Sequence, residues 1–227
     1  MEIIPNVHRI PLIPANVFLI IEEDGLTLID AAMHSSVKKI LSYIRSCGQH
    51  PARLKHILLT HADIDHVGGA KALKAHTGAK VCASKIAAGA LAEGKSSREL
   101  GVGRVGKLWF SLMHRVFTSS MMMDVDEVLS PGQTLPILGG LEVIDTQGHT
   151  PGHISFYAKA AGLLFAGDSL RTRTGKIILN ISPAITWDRE KTIASTRRQA
   201  ELKPKAVCSG HGPVVFEPEG EFPYKQL

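Results

Sequence analysis

Cysteine is scarce: Cys47, Cys82 and Cys208 are the three in 227 residues. An odd number without paired spacing argues against a disulfide framework and points to a reducing, cytoplasmic compartment. Long apolar runs are missing too. No stretch approaches the roughly 18 continuous apolar residues of a membrane span. The most apolar N-terminal run, Ile10 to Ile21, is broken by Pro11, Pro14 and Asn16. It also lacks the basic start and small-residue cleavage site of a secretory signal. Nor is there a dense block of lysine and arginine. The nearest approach, Arg171, Arg173 and Lys176, is sparse, and a net charge of +5 is mild. That balance is compatible with an anionic substrate and gives no reason to expect a nucleic acid or a membrane as partner.

What is present suffices for a folded body. With 44% hydrophobic and 21% charged residues the chain can fill a core, which excludes intrinsic disorder. Val17 to Ile21 and Leu26 to Asp30 read as strands joined through Glu22-Glu23-Asp24-Gly25, a hairpin turn signal. Ser35 and Ser36 precede Val37, Ile40, Leu41 and Ile44, the spacing of a capped amphipathic helix. Ile57 to Leu59 reads as a strand buried on both faces. A turn from His61 to Asp65 follows, then a helix through Ala70, Leu73 and Lys74 that stops at Gly78. Further on, Leu141 to Asp145, Ile154 to Tyr157, Leu163 to Ala166 and Ala206 to Cys208 are strand-like. Asp188 is placed to cap a helix running to about Leu202. Strands and helices in both halves predict an α/β fold of two sheets packed together with helices outside.

The middle differs. From about Ile86 to Met123 there is no convincing strand. Val105, Leu108, Trp109, Leu112 and Val116 follow helical spacing, flanked by Gly101, Gly103 and Gly106. Such a glycine-flanked apolar insertion reads as a lid or substrate wall formed by Trp109, Leu112 and Val116, or as plain packing, or as a homodimer contact.

Eleven histidines are the more informative count. Thr60-His61-Ala62-Asp63-Ile64-Asp65-His66-Val67-Gly68-Gly69 stands directly after the buried strand. In an extended turn His61 and Asp63 aim at one point, while Asp65 and His66 reach a neighbouring one. Imidazole and carboxylate suit zinc, iron and manganese, and Gly68 and Gly69 let the backbone turn tightly. Three more segments place a ligand type at a strand's end: His149 and His153 in Gln147-Gly148-His149-Thr150-Pro151-Gly152-His153, Asp168 in Phe165-Ala166-Gly167-Asp168-Ser169, and His211 in Ser209-Gly210-His211-Gly212-Pro213. The C-terminal ends of strands are where open sheets carry their sites. His8, His34, His50, His56, His76 and His114 have no such context and read as surface or structural residues. Cys208, in an apolar strand, reads as core.

This order resembles the metallo-β-lactamase-fold hydrolases over nearly the whole chain, from the first hairpin to His211. The resemblance implies one domain, 1–227, with the helical insertion at about 86–123, built as a four-layer αβ/βα sandwich of two mixed β-sheets. It implies two divalent transition-metal ions, zinc first and manganese or iron as alternatives. The first ion would take His61, Asp63 and His149; the second would take Asp65, His66 and His211; Asp168 and a hydroxide would bridge them. Asp65 and Asp168 are then the catalytic carboxylates. Asp30 matches a carboxylate that orients a ligand-bearing loop, although it reads equally well as a strand-end cap. His153 falls at a family position that is not a ligand and reads as a supporting or substrate-facing residue.

One position departs from the pattern: Asp63 stands where the family usually has a second histidine. Two divalent ions bring four positive charges, and Asp63, Asp65, Asp168 and a hydroxide offset all of them, whereas the usual histidine would leave one. A neutral cluster acidifies water less and shifts preference toward manganese or iron.

The implied chemistry is hydrolysis of a small, partly apolar ester, thioester or lactone by the bridging hydroxide. The chain ends soon after His211, so the C-terminal helical domain of hydroxyacylglutathione hydrolases is not expected. The alternatives are a phosphodiesterase or nuclease of the same fold, a mononuclear-iron oxidoreductase similar to persulfide dioxygenases, and a non-catalytic metal-binding module.

Overall fold

The computed structural model describes residues 1–98, 118–218 and 222–223. The chain divides into two compact units, Met1–Val128 and Leu129–Leu227. Each is built on a mixed β-sheet with helices, the expected α/β class. Among the described residues no helix is long and apolar enough to cross a membrane.

The first unit's sheet runs in sequence order: β1 (Glu2–Ile4), β2 (Val7–Ile10), β3 (Val17–Glu22), β4 (Gly25–Ile29), β5 (Leu54–Leu58), β6 (Lys80–Ser84) and β7 (Glu127–Leu129). The first four strands form an antiparallel meander, with Glu22 paired to Gly25 across the expected hairpin turn. β4, β5 and β6 are parallel, so helices must carry the chain back between them. One is α1 (Val37–Ser46), which buries Val37, Ile40, Leu41 and Ile44 as the spacing predicts. Fully burying Ile40 and Ile44 stabilises by about 1.5–3 kcal/mol each. Its cap is not the expected one. The helix is entered from a 3₁₀ turn at His34–Ser36, so Ser36 is already helical and its side chain makes no capping bond.

After β5 the chain forms a short helix, α2 (Ile64–Val67), and then α3 (Ala70–Thr77), which ends on Gly78 in the left-handed conformation. The expected extended turn is therefore half right. Asp63 is extended, but Asp65 and His66 lie on α2. Gly68 and Gly69 have ordinary backbone angles, so their role is space rather than a tight turn. A Cβ on Gly69 would sit 2.3 Å from the Ala31 carbonyl oxygen. That close approach lets Gly69 N–H bond Ala32 O at 2.9 Å and Ala31 N–H bond His66 O at 2.7 Å, tying the loop after β4 to α2. The strands at Val7–Ile10 and Lys80–Ser84 were not legible as such, because short mixed segments carry no clear alternation.

The inserted segment opens with α4 (Lys85–Ala92), capped by Ser84, whose hydroxyl accepts from Ala87 N–H at 3.3 Å. At the far end, residues 118–121 are helical, and Met121 and Met123 are buried in the first unit's core. Trp109, Leu112 and Val116, with His114, lie outside the described residues.

The second unit's sheet has β8 (Thr134–Leu135), β9 (Leu141–Asp145), β10 (Ile154–Ala158), β11 (Leu163–Gly167), β14 (Ala206–Ser209) and β15 (Val215–Phe216), in the order β15-β14-β11-β10-β9-β8. A separate hairpin, β12 (Arg171–Arg173) and β13 (Lys176–Ile178), follows β11. β11 and β14 are parallel, joined through α5 (Arg189–Glu201). Asp188 caps that helix as expected, accepting from Lys191 N–H at 3.0 Å. The buried face of α5 is polar: Thr192, Ser195, Thr196 and Gln199. Gln199 Oε1 accepts from Ser169 Oγ at 3.0 Å, so hydrogen bonding replaces apolar contact on that face.

Candidate metal centre

In the first unit, β5 delivers His61 from its C-terminal end, Asp63 follows on extended backbone, and α2 carries Asp65 and His66. Asp30, at the end of β4, is buried and stands at φ 61°. A non-glycine residue in that region is strained and needs outside support. Here the support is a hydrogen-bond network. Asp30 accepts from Thr60 N–H at 2.9 Å and from Thr60 Oγ1 at 3.0–3.1 Å, and its Oδ2 lies 2.8 Å from His66 Nδ1. Asp30 therefore ties the end of β4 to the turn that carries His61 and to the His66 ring.

This network sets two imidazole tautomers. A carboxylate only accepts, so His66 Nδ1 carries the proton. The single proton of the Thr60 hydroxyl goes to Asp30. The hydroxyl oxygen then accepts from His61 Nδ1, 2.9 Å away. Both rings consequently carry their acceptor lone pair on Nε2. His61 Nε2 lies 3.7 Å from Asp63 Oδ2, and His66 Nε2 lies 3.9 Å from Asp65 Oδ2. Ligand bonds of 2.0–2.2 Å in tetrahedral geometry set ligand atoms about 3.5 Å apart. Both pairs are close to that spacing.

The second unit holds the other three candidates. His149 Nε2 lies 3.6 Å and His211 Nε2 3.2 Å from Asp168 Oδ2. Asp168 is fixed through its backbone: its N–H donates to His153 Nε2 at 3.1 Å, and its carbonyl accepts from Asn180 Nδ2 at 2.9 Å. Because His153 accepts through Nε2, its Nδ1 carries the proton and donates to Thr146 Oγ1 at 2.9 Å. His153 is fully buried. Its ring thus links the backbone of Asp168 to Thr146. His211 is anchored through its carbonyl, which accepts from Thr172 N–H at 3.2 Å and Thr172 Oγ1 at 3.1 Å.

Thr60, Thr146, Thr172, Asn180 and Arg98 were not among the residues singled out from sequence. Thr60 had a signal, since it adjoins His61. Thr146 likewise adjoins the Gln147–His153 turn, whereas Thr172, Asn180 and Arg98 lie 39, 12 and 35 residues from the groups they hold, and Arg98 meets Asp63. Its Nη2 donates to Asp63 Oδ2 at 2.7 Å, and Ser96 Oγ donates to Asp63 Oδ1 at 2.5 Å.

The model of the metallo-β-lactamase superfamily matches residues 10–211. The chain belongs to that superfamily. It is 33% identical to the uncharacterised protein YobT of Bacillus subtilis, over 91% of this chain and 87% of that one. It is also 33% identical to a hydroxyacylglutathione hydrolase of Rhodobacter capsulatus, over 83% of this chain but 57% of the enzyme, little more than half its length. Among solved structures, a metallo-β-lactamase family protein of Thermus thermophilus superposes with a TM-score of 0.75 at 21% identity, over 99% of this chain and 79% of that one. A Cronobacter sakazakii metallo-β-lactamase with a HARLDQ motif gives 0.69 at 26% identity, over 93% and 77%. Superfamily membership implies divalent-metal binding, and the histidine and aspartate donor set described above is chemically suited to it.

Proposed function

We propose that the chain is a dinuclear metal-dependent hydrolase of a small ester, thioester or lactone. His61, Asp63 and His149 would hold one ion; Asp65, His66 and His211 the other; Asp168 would serve both. The observation that carries this reading is the Asp30–Thr60 network, which fixes the Nδ1 protons of His61 and His66 and so dedicates both Nε2 atoms to acceptor duty. A histidine that binds a metal through Nε2 carries its proton on Nδ1, and a partner that accepts there fixes the tautomer and the ring orientation. When bound, the ions would supply Lewis acidity toward an acyl oxygen and an acidified water as nucleophile. The protein's own part is positional. Asp30 holds the His66 ring, Thr60 holds the His61 ring, and His153 and Asn180 hold the backbone of Asp168. Burial of His61, His66 and His149 keeps bulk water from competing for their ring nitrogens. The acyl-substrate assignment is supported by the relatives named hydroxyacylglutathione hydrolase, since a hydroxyacyl group on glutathione is a thioester. Zinc is the first choice of metal, with manganese or iron as alternatives.

The test is elemental analysis of zinc-, manganese- or iron-saturated protein, alongside turnover of oxyester, thioester and lactone panels. About two ions per chain and hydrolysis abolished by chelator are expected. His211→Ala should lower the ion count and abolish turnover while the far-UV circular dichroism is unchanged. A saturated protein holding one ion or none rejects the dinuclear reading. Two ions with no hydrolysis of any acyl panel reject the substrate class.

A further inference from the structure

The aspartate that departs from the family pattern does not stand alone. Asp63 Oδ2 accepts a charged hydrogen bond from Arg98 at 2.7 Å, and Asp63 Oδ1 accepts from Ser96 Oγ at 2.5 Å. Ser96 Oγ in turn accepts from Arg98 N–H at 3.3 Å, so the two residues approach the carboxylate as one braced unit. Both partners of the ion pair are largely buried, with side-chain exposures of 7% for Arg98 and 13% for Asp63. In such surroundings the charge of a guanidinium is poorly screened and acts strongly on its neighbours. Beside these bonds, Asp63 Oδ2 lies 3.7 Å from His61 Nε2, close to ligand spacing.

We propose that Arg98 is the positioning residue and counter-charge that allows an aspartate to serve at position 63. This rests on the metal-binding reading above. The family's usual histidine is neutral, so the exchange to Asp63 adds one negative charge to the cluster. Arg98 adds one positive charge and returns the total to that of the common ligand set. The ligand set itself stays neutral, and the compensating charge beside it comes from a residue 35 positions away. Arg98 and Ser96 also fix the carboxylate plane, the task that partners of metal ligands perform. Arginine suits this better than lysine, because its planar fork stays charged and offers directed N–H groups.

The experiment is zinc titration against a chromophoric chelator, with ion counts by elemental analysis, for the native chain, Arg98→Met, Arg98→Lys and Asp63→His/Arg98→Met. Zinc at the site containing Asp63 should bind 10- to 100-fold more weakly in Arg98→Met, so about one ion remains where the native chain holds about two. Arg98→Lys, which keeps the charge, should lose less than about tenfold. The double variant should recover the second ion, because a neutral imidazole needs no counter-charge; it also serves if Arg98→Met alone fails to fold. Two ions bound with native affinity by Arg98→Met overturn the proposal, and so does a double variant that folds but does not regain the ion. A native chain that takes a single ion rejects the dinuclear reading. In that case the role of Arg98 stands if Arg98→Met weakens that ion at least tenfold. It falls if the affinity is unchanged or if the variant gains a second ion.

Discussion

At the scale of single residues, the proposed site relies on atoms outside the proposed ligand set. Thr60 is fully buried, and its hydroxyl both donates to Asp30 and accepts from His61. Thr60→Val keeps the shape and the Thr60 N–H bond to Asp30 but leaves His61 Nδ1 without its acceptor. Stability should fall by about 1–3 kcal/mol in urea melts, and zinc affinity by about 10–100-fold in chelator competition. Thr60→Ser, which retains the hydroxyl, should recover most of both. The ligand types themselves were legible in the sequence, because histidines and aspartates cluster in glycine-rich turns after apolar strands. The partners of Asp63 were not, because nothing at the turn signals that the chain returns with Arg98.

At the scale of elements, hydrophobic spacing located α1, and Asp188 located the start of α5, since both depend on local pattern and capping. The polar buried face of α5 and the short outer strands escaped, because long-range hydrogen bonds rather than periodicity stabilise them. One such bond set joins α3 to β6. Asp126 accepts from Lys74 Nζ at 2.7 Å and from Val81 N–H at 2.8 Å. Burial by itself would raise the Asp126 carboxyl, but the Lys74 and Val81 hydrogen bonds and the charges of Lys74 and Lys80 outweigh it, so its pKa lies below the usual 3.8. A carboxyl depressed in the folded state contributes stability above its unfolded value, and that contribution is lost as pH falls through the folded value. Asp126→Asn should therefore be less stable than the native chain near neutrality. Its stability should also fall less steeply below about pH 4, as read from urea melts between about pH 6 and pH 3.

At the scale of the whole molecule, metal binding and folding should be linked. The proposed ligands extend from His61 to His211, and the unfolded chain has no means of holding them together. Zinc at about 100 times its dissociation constant should stabilise the fold by about 2.7 kcal/mol. For a chain of this length that raises the melting temperature by roughly 5–10 °C. Excess chelator should reverse the rise, which differential scanning calorimetry checks directly.

The order of ligand types along the chain, the first hairpin and the buried strand at Ile57 were written in the sequence, because each follows from neighbours within a few residues, while the two mixed sheets followed from the family resemblance. The tertiary structure decided which histidine nitrogen carries its proton, that His153 braces Asp168, and that Asp63 is paired with Arg98. The bonds of Asp30 to His66, Arg98 to Asp63 and Asp168 to His153 join groups 15 to 36 residues apart in sequence. Local periodicity fixes which face of a strand or helix is buried, but only the folded path of the backbone fixes which polar atoms meet there.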